Sequence, residues 1–188
     1  MTYVSRKGSA ELKPWSDKLL AVYRKPSDLR KHKLPEASAY SADIATQGLA
    51  YLARYSPAKA LSDWQYFRGR LSFNDEQAHQ VEYAIALRSL FAKTESNLDW
   101  MPGALERLSD DKLVEIRLRW ALTEQDWPAL VATLPLLSEG EQEKASWRYW
   151  RARSLSYSGD DEGSRQLLTA LASERDYYGF MAADRLSK

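Results

Sequence analysis

Helical segments begin at a nearly constant interval along this sequence, and that interval is the strongest constraint on its fold. Apolar residues at helical spacing, with N-cap residues before them, predict first helices that start near residues 41, 75, 110, 141 and 177. No alternating, β-branched segment bounded by turn residues occurs anywhere in the sequence, so a β-sheet is not expected. A spacing of about 34 residues is typical of repeated helix–turn–helix pairs.

A single pair of helices cannot bury its own apolar faces, so neighbouring pairs must stack. We therefore predict an all-α fold, a right-handed α-superhelix (solenoid) of tetratricopeptide-like helix pairs with about ten helices. Residues 38–188 form the superhelical repeats in this interpretation. Residues 1–37 have a less regular pattern and are interpreted as one leading pair of helices.

The apolar stripes and caps of the individual helices make this prediction specific. The predicted stripes are Ile44, Leu49, Leu52 and Tyr55; Leu61, Trp64, Phe67 and Leu71; Ala78, Val81, Ile85, Leu87 and Phe91; and Leu113, Ile116 and Trp120. The predicted N-caps are Ser41, Ser56, Asn74, Ser109 and Asp160, and Gly159 is expected to end the helix before it.

Charge and composition argue against several classes of partner and site. The net charge is +1, which gives no overall attraction to nucleic acid. Residues 1–33 are nevertheless basic, with nine Lys and Arg against three acidic residues, about +6, which indicates a solvated helical face or an anionic partner. No segment approaches the 18 apolar residues of a membrane span, and the N-terminus lacks the apolar core of a secretory signal.

No motif for a metal, a nucleotide or a nucleophile is present. The chain has no cysteine, and its two histidines, His32 and His79, lack the spacing of metal ligands. No Walker, GxGxxG or Gly-x-Ser-x-Gly pattern occurs. We therefore expect no cofactor, no metal site and no catalytic residue in this chain.

Residues 146–161 combine aromatic and basic side chains in the sequence SWRYWRARSLSYSGDD. The rings pack in the core of a helical stack in one interpretation, and they contact a ligand in the other. The arginines at 148, 151 and 153 spread around the helix, so they are not expected to form one basic stripe. Packing is the favoured interpretation.

Two blocks near the C-terminus resemble the superhelical region of the soluble lytic murein transglycosylases. They are WRYWRAR at 147–153 and YYGFMAADRL at 177–186. Upstream, QGLAYLARYSPAKALSDW and RLRWALTEQDWPAL are similar to the preceding helix pairs of that family, and the resemblance covers about 150 residues. It implies the C-terminal part of the superhelical, non-catalytic domain.

The resemblance implies a periplasmic parent enzyme that acts on peptidoglycan. Such enzymes cleave the β-1,4 bond between N-acetylmuramic acid and N-acetylglucosamine without water and leave a 1,6-anhydromuramoyl end, with one glutamate as acid and then base. That glutamate lies in a Glu-Ser dipeptide of a separate lysozyme-like domain. The dipeptide Glu95-Ser96 lacks the segment that follows in the family, so we expect it to have no catalytic role.

By this resemblance the chain is a scaffold, inactive alone, and its partners are the missing catalytic domain and, through the parent enzyme, glycan strands. Candidates for glycan or domain contact are Trp147, Tyr149, Arg151, Tyr177 and Tyr178. The alternative is a stand-alone tetratricopeptide-like adaptor that binds a protein or peptide.

Overall fold

The computed structural model describes residues 12–36 and 38–187, and all regular structure in these ranges is helical. The first six α-helices are α1 (Lys13–Arg24), α2 (Ala39–Ala53), α3 (Pro57–Arg68), α4 (Asp75–Phe91), α5 (Met101–Leu108) and α6 (Asp111–Glu124). The next five are α7 (Trp127–Thr133), α8 (Glu139–Gln142), α9 (Ala145–Tyr157), α10 (Asp161–Leu171) and α11 (Tyr177–Leu186). Short 3-10 helices span Pro26–Lys31, Glu95–Asn97 and Leu134–Leu136. The predicted fold class, an all-α array of helix pairs, is confirmed.

The chain divides into two compact units, residues 1–104 and 105–188, and the division falls inside α5. Of the predicted leading segment, residues 12–36 contain α1 and the first 3-10 helix, whereas residues 1–11 and Ala37 lie outside the described residues. Four of the five predicted first helices begin close to their expected positions, at Ala39, Asp75, Asp111 and Tyr177. The remaining one, expected near residue 141, begins at Ala145, because the single turn of α8 precedes it as a separate helix.

In the first unit, α2 is the central helix, and α1, α3 and α4 all pack against it. Since it is enclosed on several sides, its buried residues are not confined to one stripe: Ala42, Ile44, Ala45, Leu49, Leu52 and Ala53. Gly48 permits the closest approach, since a Cβ there would lie 2.6 Å from Cγ1 of Val22 and 3.0 Å from Cδ1 of Leu29. The lack of a side chain at this position thus allows α1 and the 3-10 helix Pro26–Lys31 to pack closely against α2.

The junction between α3 and α4 is held by one buried tryptophan. Trp64 is 1% exposed, its ring meets Phe73 edge-on with centroids 4.9 Å apart, and its Nε1 donates to Oε1 of Glu82 at 3.2 Å. The helix α4 begins with a reciprocal capping box, in which the Asn74 side chain accepts from the backbone of Gln77 and the Gln77 side chain accepts from the backbone of Asn74. The predicted Asn74 cap is confirmed.

Much of the basic N-terminal stretch is paired within the first unit. Nε of Arg30 lies 2.5 Å from Oδ1 of the buried Asp63, and Asp28 bridges Lys25 and Lys31 at 3.0 and 2.9 Å. Hydrogen bonds from Lys31 and Lys25 hold the pKa of Asp28 below its usual value. These pairs favour the interpretation of a solvated helical face for the described part of the stretch.

Two predicted caps and two stripe residues are wrong. The helix α2 begins after Ser38, so Ser41 lies inside its first turn and is buried. Asp110 rather than Ser109 caps α6, accepting from the Leu113 backbone at 3.0 Å. Tyr55 and Phe91 are each 68% exposed, because Tyr55 lies two residues past the end of α2 and Phe91 is the last residue of α4, both beyond the packed part of the stripe.

In the second unit, α9 and α10 pack against each other as a helix pair. Ala152 and Ser164 are both buried at their interface, and Gly159 makes the turn between them at a φ of +87°. The predicted Asp160 cap is confirmed, because its Oδ1 accepts from the Gly163 backbone at 2.9 Å. The last helix, α11, packs on this pair and is capped by Asp176, which accepts from the Gly179 backbone at 2.7 Å.

Candidate ligand-binding surfaces

The five candidate residues do not converge on one site, because α9 presents its three candidates on two faces and the other two belong to α11. Trp147 and Arg151, four residues apart, lie on the face toward α7. Tyr149 lies on the face toward α11, where Tyr177 and Tyr178 begin that helix. The arginines of α9 diverge as predicted: Arg148 pairs with Glu174 at 2.5 Å, and Arg153 Nη1 donates to the Tyr149 hydroxyl at 3.4 Å, while Arg151 is exposed.

The face toward α7 holds a small, mostly apolar pocket of about 170 Å³. Its lining residues are Val131, Leu134, Pro135, Gln142, Trp147, Arg151, Ser154 and Leu155. Trp147 is only 5% exposed, and its Nε1 donates to Oε1 of Glu115 at 3.4 Å. Since the pocket is smaller than the roughly 300 Å³ of ordinary ligand sites, Trp147 acts here as a packing residue.

The face toward α11 is an open groove of about 430 Å³. Its lining residues are Tyr149, Arg153, Tyr177, Phe180, Met181, Asp184 and Arg185. Tyr149 is 2% exposed and belongs to a core cluster with Ala152 and Leu168, so it supports the floor of the groove. Tyr177 and Phe180 are each 69% exposed and form an aromatic surface on α11.

A third surface, which the sequence interpretation missed, lies in the first unit across α1, α2 and α4. We call it the tyrosine groove. It encloses about 450 Å³. Its lining residues are Tyr23, Gln47, Ala50, Tyr51, Arg54, Gln80, Tyr83, Ala84, Leu87 and Arg88. A sequence signal was available, since Gln47 and Gln80, and likewise Arg54 and Arg88, stand about one repeat apart.

The tyrosines at one end of this groove form a connected cluster. The Tyr23 and Tyr51 rings stack with centroids 4.4 Å apart and an interplanar angle of 18°. The Tyr51 ring also meets Tyr55 edge-on at 5.3 Å, and the two hydroxyl oxygens lie 2.9 Å apart. The hydrogen bond with Tyr55, together with desolvation, raises the pKa of Tyr51 to about 12.

This pKa gives a testable pH dependence. Between the ordinary tyrosine value of 10.0 and about 12, folded Tyr51 keeps a proton that the unfolded chain has lost. Its contribution to stability is therefore complete below pH 10 and is lost as the pH rises toward 12. We expect Tyr55→Phe to lower the Tyr51 pKa toward 10.0, measured by ultraviolet titration of tyrosinate absorbance. If a titration step near pH 12 persists in the Phe variant, which loses the absorbance of Tyr55 itself, the assigned hydrogen bond is contradicted.

Glu95, the glutamate of the Glu-Ser dipeptide, lies exposed in the 3-10 helix that follows α4. The turn is fixed by Asn97, whose Nδ2 donates to Oγ of the buried Ser89 at 2.8 Å. General acid catalysis on a glycoside needs a sheltered carboxyl close to a bound sugar. The structure therefore shows that Asn97 ties this turn to α4, and the absence of a catalytic role for Glu95 stays a prediction.

Within residues 12–36 and 38–187, no three His, Asp or Glu side chains are grouped so that they could hold a metal ion. Across the same residues, no helix combines the length and the apolar character that a membrane crossing requires.

Comparison with known proteins identifies relatives of the chain, although no family model matches it. The soluble lytic murein transglycosylase of Salmonella typhimurium is 33% identical over 116 residues, which is 61% of this chain and 18% of the relative. The protein of the same name from Escherichia coli (strain K12) is 26% identical over 81% of this chain and 24% of the relative. A putative soluble lytic murein transglycosylase of Haemophilus influenzae is 27% identical over 90% of this chain and 27% of the relative. The chain thus spans at most about a quarter of these relatives.

Solved structures extend the match to nearly the whole chain. An inactive mutant of the lytic transglycosylase Slt from Pseudomonas aeruginosa is similar with a TM-score of 0.77 and 28% identity, covering 98% of this chain and 30% of that one. The 70-kDa soluble lytic transglycosylase of Escherichia coli has a TM-score of 0.69 at 23% identity, covering 100% and 31%, which supports the fold alone. The sequence resemblance is therefore confirmed.

Proposed function

Because this chain is homologous to the soluble lytic murein transglycosylases, we propose that it is a non-catalytic, superhelical scaffold segment of such an enzyme. The intact enzyme would act in the periplasm and cleave the β-1,4 bond between N-acetylmuramic acid and N-acetylglucosamine, leaving a 1,6-anhydromuramoyl end in cell-wall turnover. The observation that carries the proposal is the structural match at a TM-score of 0.77, which covers 98% of this chain and only 30% of the enzyme.

The buried carboxylates support a scaffold role. Among the described residues, the buried acidic side chains are Asp63 and Glu82. Asp63 is paired with Arg30 and Lys59, and Glu82 accepts from the Trp64 indole. A buried carboxylate that is fully engaged in such contacts stabilises the packing of helices and is not poised to give a proton to a sugar.

The aromatic residues of the second unit have two roles in this proposal. Trp147 and Tyr149 pack the core, whereas Tyr177 offers an exposed ring for contact with the catalytic domain or with glycan. Tyr178 lies between the buried and the exposed rings, since its ring centroid is 5.7 Å from that of Tyr149 and 5.2 Å from that of Tyr177. Arg151 is exposed at the mouth of the small pocket and is the remaining candidate for a polar contact.

We expect the purified 188-residue chain to release no 1,6-anhydromuropeptides from isolated peptidoglycan. The physical reason is that its buried carboxylates are engaged in helix packing and Glu95 is exposed. Mass spectrometry of the digest measures the result, with an intact lytic transglycosylase as the positive control. Product formed by this chain, and abolished by Glu95→Gln, would contradict both the scaffold role and the assignment of Glu95.

The size of the native polypeptide separates the scaffold from the adaptor. An immunoblot of the source cells with an antibody against this chain should show a band much larger than 21.5 kDa, as expected of a scaffold that continues into a catalytic domain. A band at 21.5 kDa would support a stand-alone helical-repeat adaptor instead.

A further inference from the structure

The tyrosine groove crosses three helices that run in the same direction within the first unit. Trp15 of α1 meets Tyr40 of α2, and further along the same two helices Tyr23 meets Tyr51, so α1 and α2 are parallel. The groove extends this row to α4, because Gln47 of α2 and Arg54, which caps the end of α2, are followed by their repeat-related counterparts on α4. Equivalent helices of a repeat array form the extended surfaces on which such proteins bind ligands.

The groove combines three kinds of chemical group. Tyr23 is 48% exposed and offers a ring face with a polar tip. The side-chain amides of Gln47 and Gln80 are exposed and can both donate to and accept from hydroxyl or acetamido groups. Arg54 and Arg88 add two guanidinium groups, and among the described residues that line the groove none is acidic.

The arginines indicate the charge of the occupant. Arg54 lies with its Cζ 5.9 Å from the Tyr51 ring centroid and is exposed. Arg88 is half-buried at the other end of the groove, and within the described residues its side chain makes no ion pair. A half-buried guanidinium without a carboxylate partner is complementary to an anionic group on a ligand, and a planar carboxylate fits its paired donors.

We propose that the tyrosine groove binds a saccharide strand that carries carboxylate groups. An apolar sugar face stacks on the exposed tyrosine, the two glutamines pair with hydroxyl or acetamido groups, and the arginines hold the carboxylates. The identification of the strand as peptide-bearing glycan of the cell wall rests on the proposed function; the groove chemistry by itself does not depend on it.

Single-stranded nucleic acid is the competing occupant, because it too uses aromatic rings beside basic groups. Two features favour the saccharide. Among the described residues that line the groove two are cationic, and the net charge of the whole chain is +1, which gives little attraction to a polyphosphate. Paired glutamines also suit a ligand with many neutral hydroxyl groups.

The test is a calorimetric titration of the full 188-residue chain with a defined disaccharide tetrapeptide from peptidoglycan. Neutral chitotetraose and an eight-nucleotide oligothymidine are the comparison ligands. We expect the disaccharide tetrapeptide to bind at least about tenfold more tightly than chitotetraose, which corresponds to one charge-assisted contact. Arg88→Gln should remove that preference, and Tyr23→Ala should weaken binding of both sugars.

Tyr157→Ala is the matched control, since it removes a tyrosine of the second unit that is 55% exposed and lines neither groove, so it should leave both affinities unchanged. Circular dichroism melts verify that each variant is folded. Equal binding of the charged and neutral sugars, binding unaffected by Arg88→Gln and Tyr23→Ala, no binding, or tighter binding of the oligonucleotide would each overturn the proposal. The immunoblot tests the scaffold role independently, so a failure of the groove and a failure of the scaffold role remain distinguishable.

Discussion

Trp64→Ala is expected to lower the free energy of unfolding by about 3–5 kcal/mol. The indole is 1% exposed and fills the junction between α3 and α4, so alanine leaves a cavity that the surrounding helices cannot fully close. The change also removes the donor to the buried Glu82 carboxylate. Urea unfolding followed by circular dichroism at 222 nm is the measurement.

Trp64→Phe separates the two parts of this effect. It keeps an aromatic ring beside Phe73 but removes the Nε1 donor, so we expect a smaller loss, about 1–3 kcal/mol. A loss below about 1 kcal/mol for Trp64→Ala would place the ring outside the core and contradict the packing described.

Gly179→Ala is expected to destabilise the second unit by about 3 kcal/mol, at the upper end of the range for overpacking. A Cβ at this position would lie 2.1 Å from the backbone oxygen of Glu174 and 3.0 Å from that of Leu171. Both obstacles are backbone atoms, so no side-chain rotation relieves the contact and α11 must move away from the end of α10. Thermal unfolding gives the stability change, and limited proteolysis between residues 172 and 176 reports whether α11 has detached.

Gly140→Ala is the matched control for Gly179. A Cβ at Gly140 meets nothing within 4 Å, so the substitution should change stability by less than about 1 kcal/mol. If the two alanine variants unfold alike, the close approach of α11 to the Glu174 carbonyl is wrong.

Local chemistry allowed some helix starts to be predicted from the sequence. Asn74 and Asp160 were predictable because a cap needs only its own side chain and the backbone three residues on. Ser41 and Ser109 failed because another suitable cap stands close by, at Ser38 and Asp110. Which of two neighbouring residues becomes the N-cap depends on how the whole helix packs in the fold. At Ser109 the backbone takes a φ of +46° instead of the conformation of an N-cap.

The stripes and surfaces show the same limit. The helical periodicity of the sequence predicts the helix face on which Tyr55 and Phe91 lie, but it does not predict how far along that face the neighbouring helices make contact. The sequence favours packing for the aromatic segment of α9 and names candidates for contact on α9 and α11, but it does not show that the structure divides these candidates between a small pocket and an open groove. The tyrosine groove was missed because its residues come from three helices, from Tyr23 to Arg88, and only stacking brings them together.

In the tyrosine groove, the repeat-related pairs Gln47 with Gln80 and Arg54 with Arg88 present the same two chemical groups at a fixed spacing. Each helix contributes one amide and one guanidinium, and neighbouring parallel helices in packed arrays lie about 8–10 Å apart. A polymer whose chemical repeat has a similar length would meet the same pair of groups at every step. Its affinity would then rise with the number of repeat units in register, and a polymer of mismatched repeat length would gain nothing from added units.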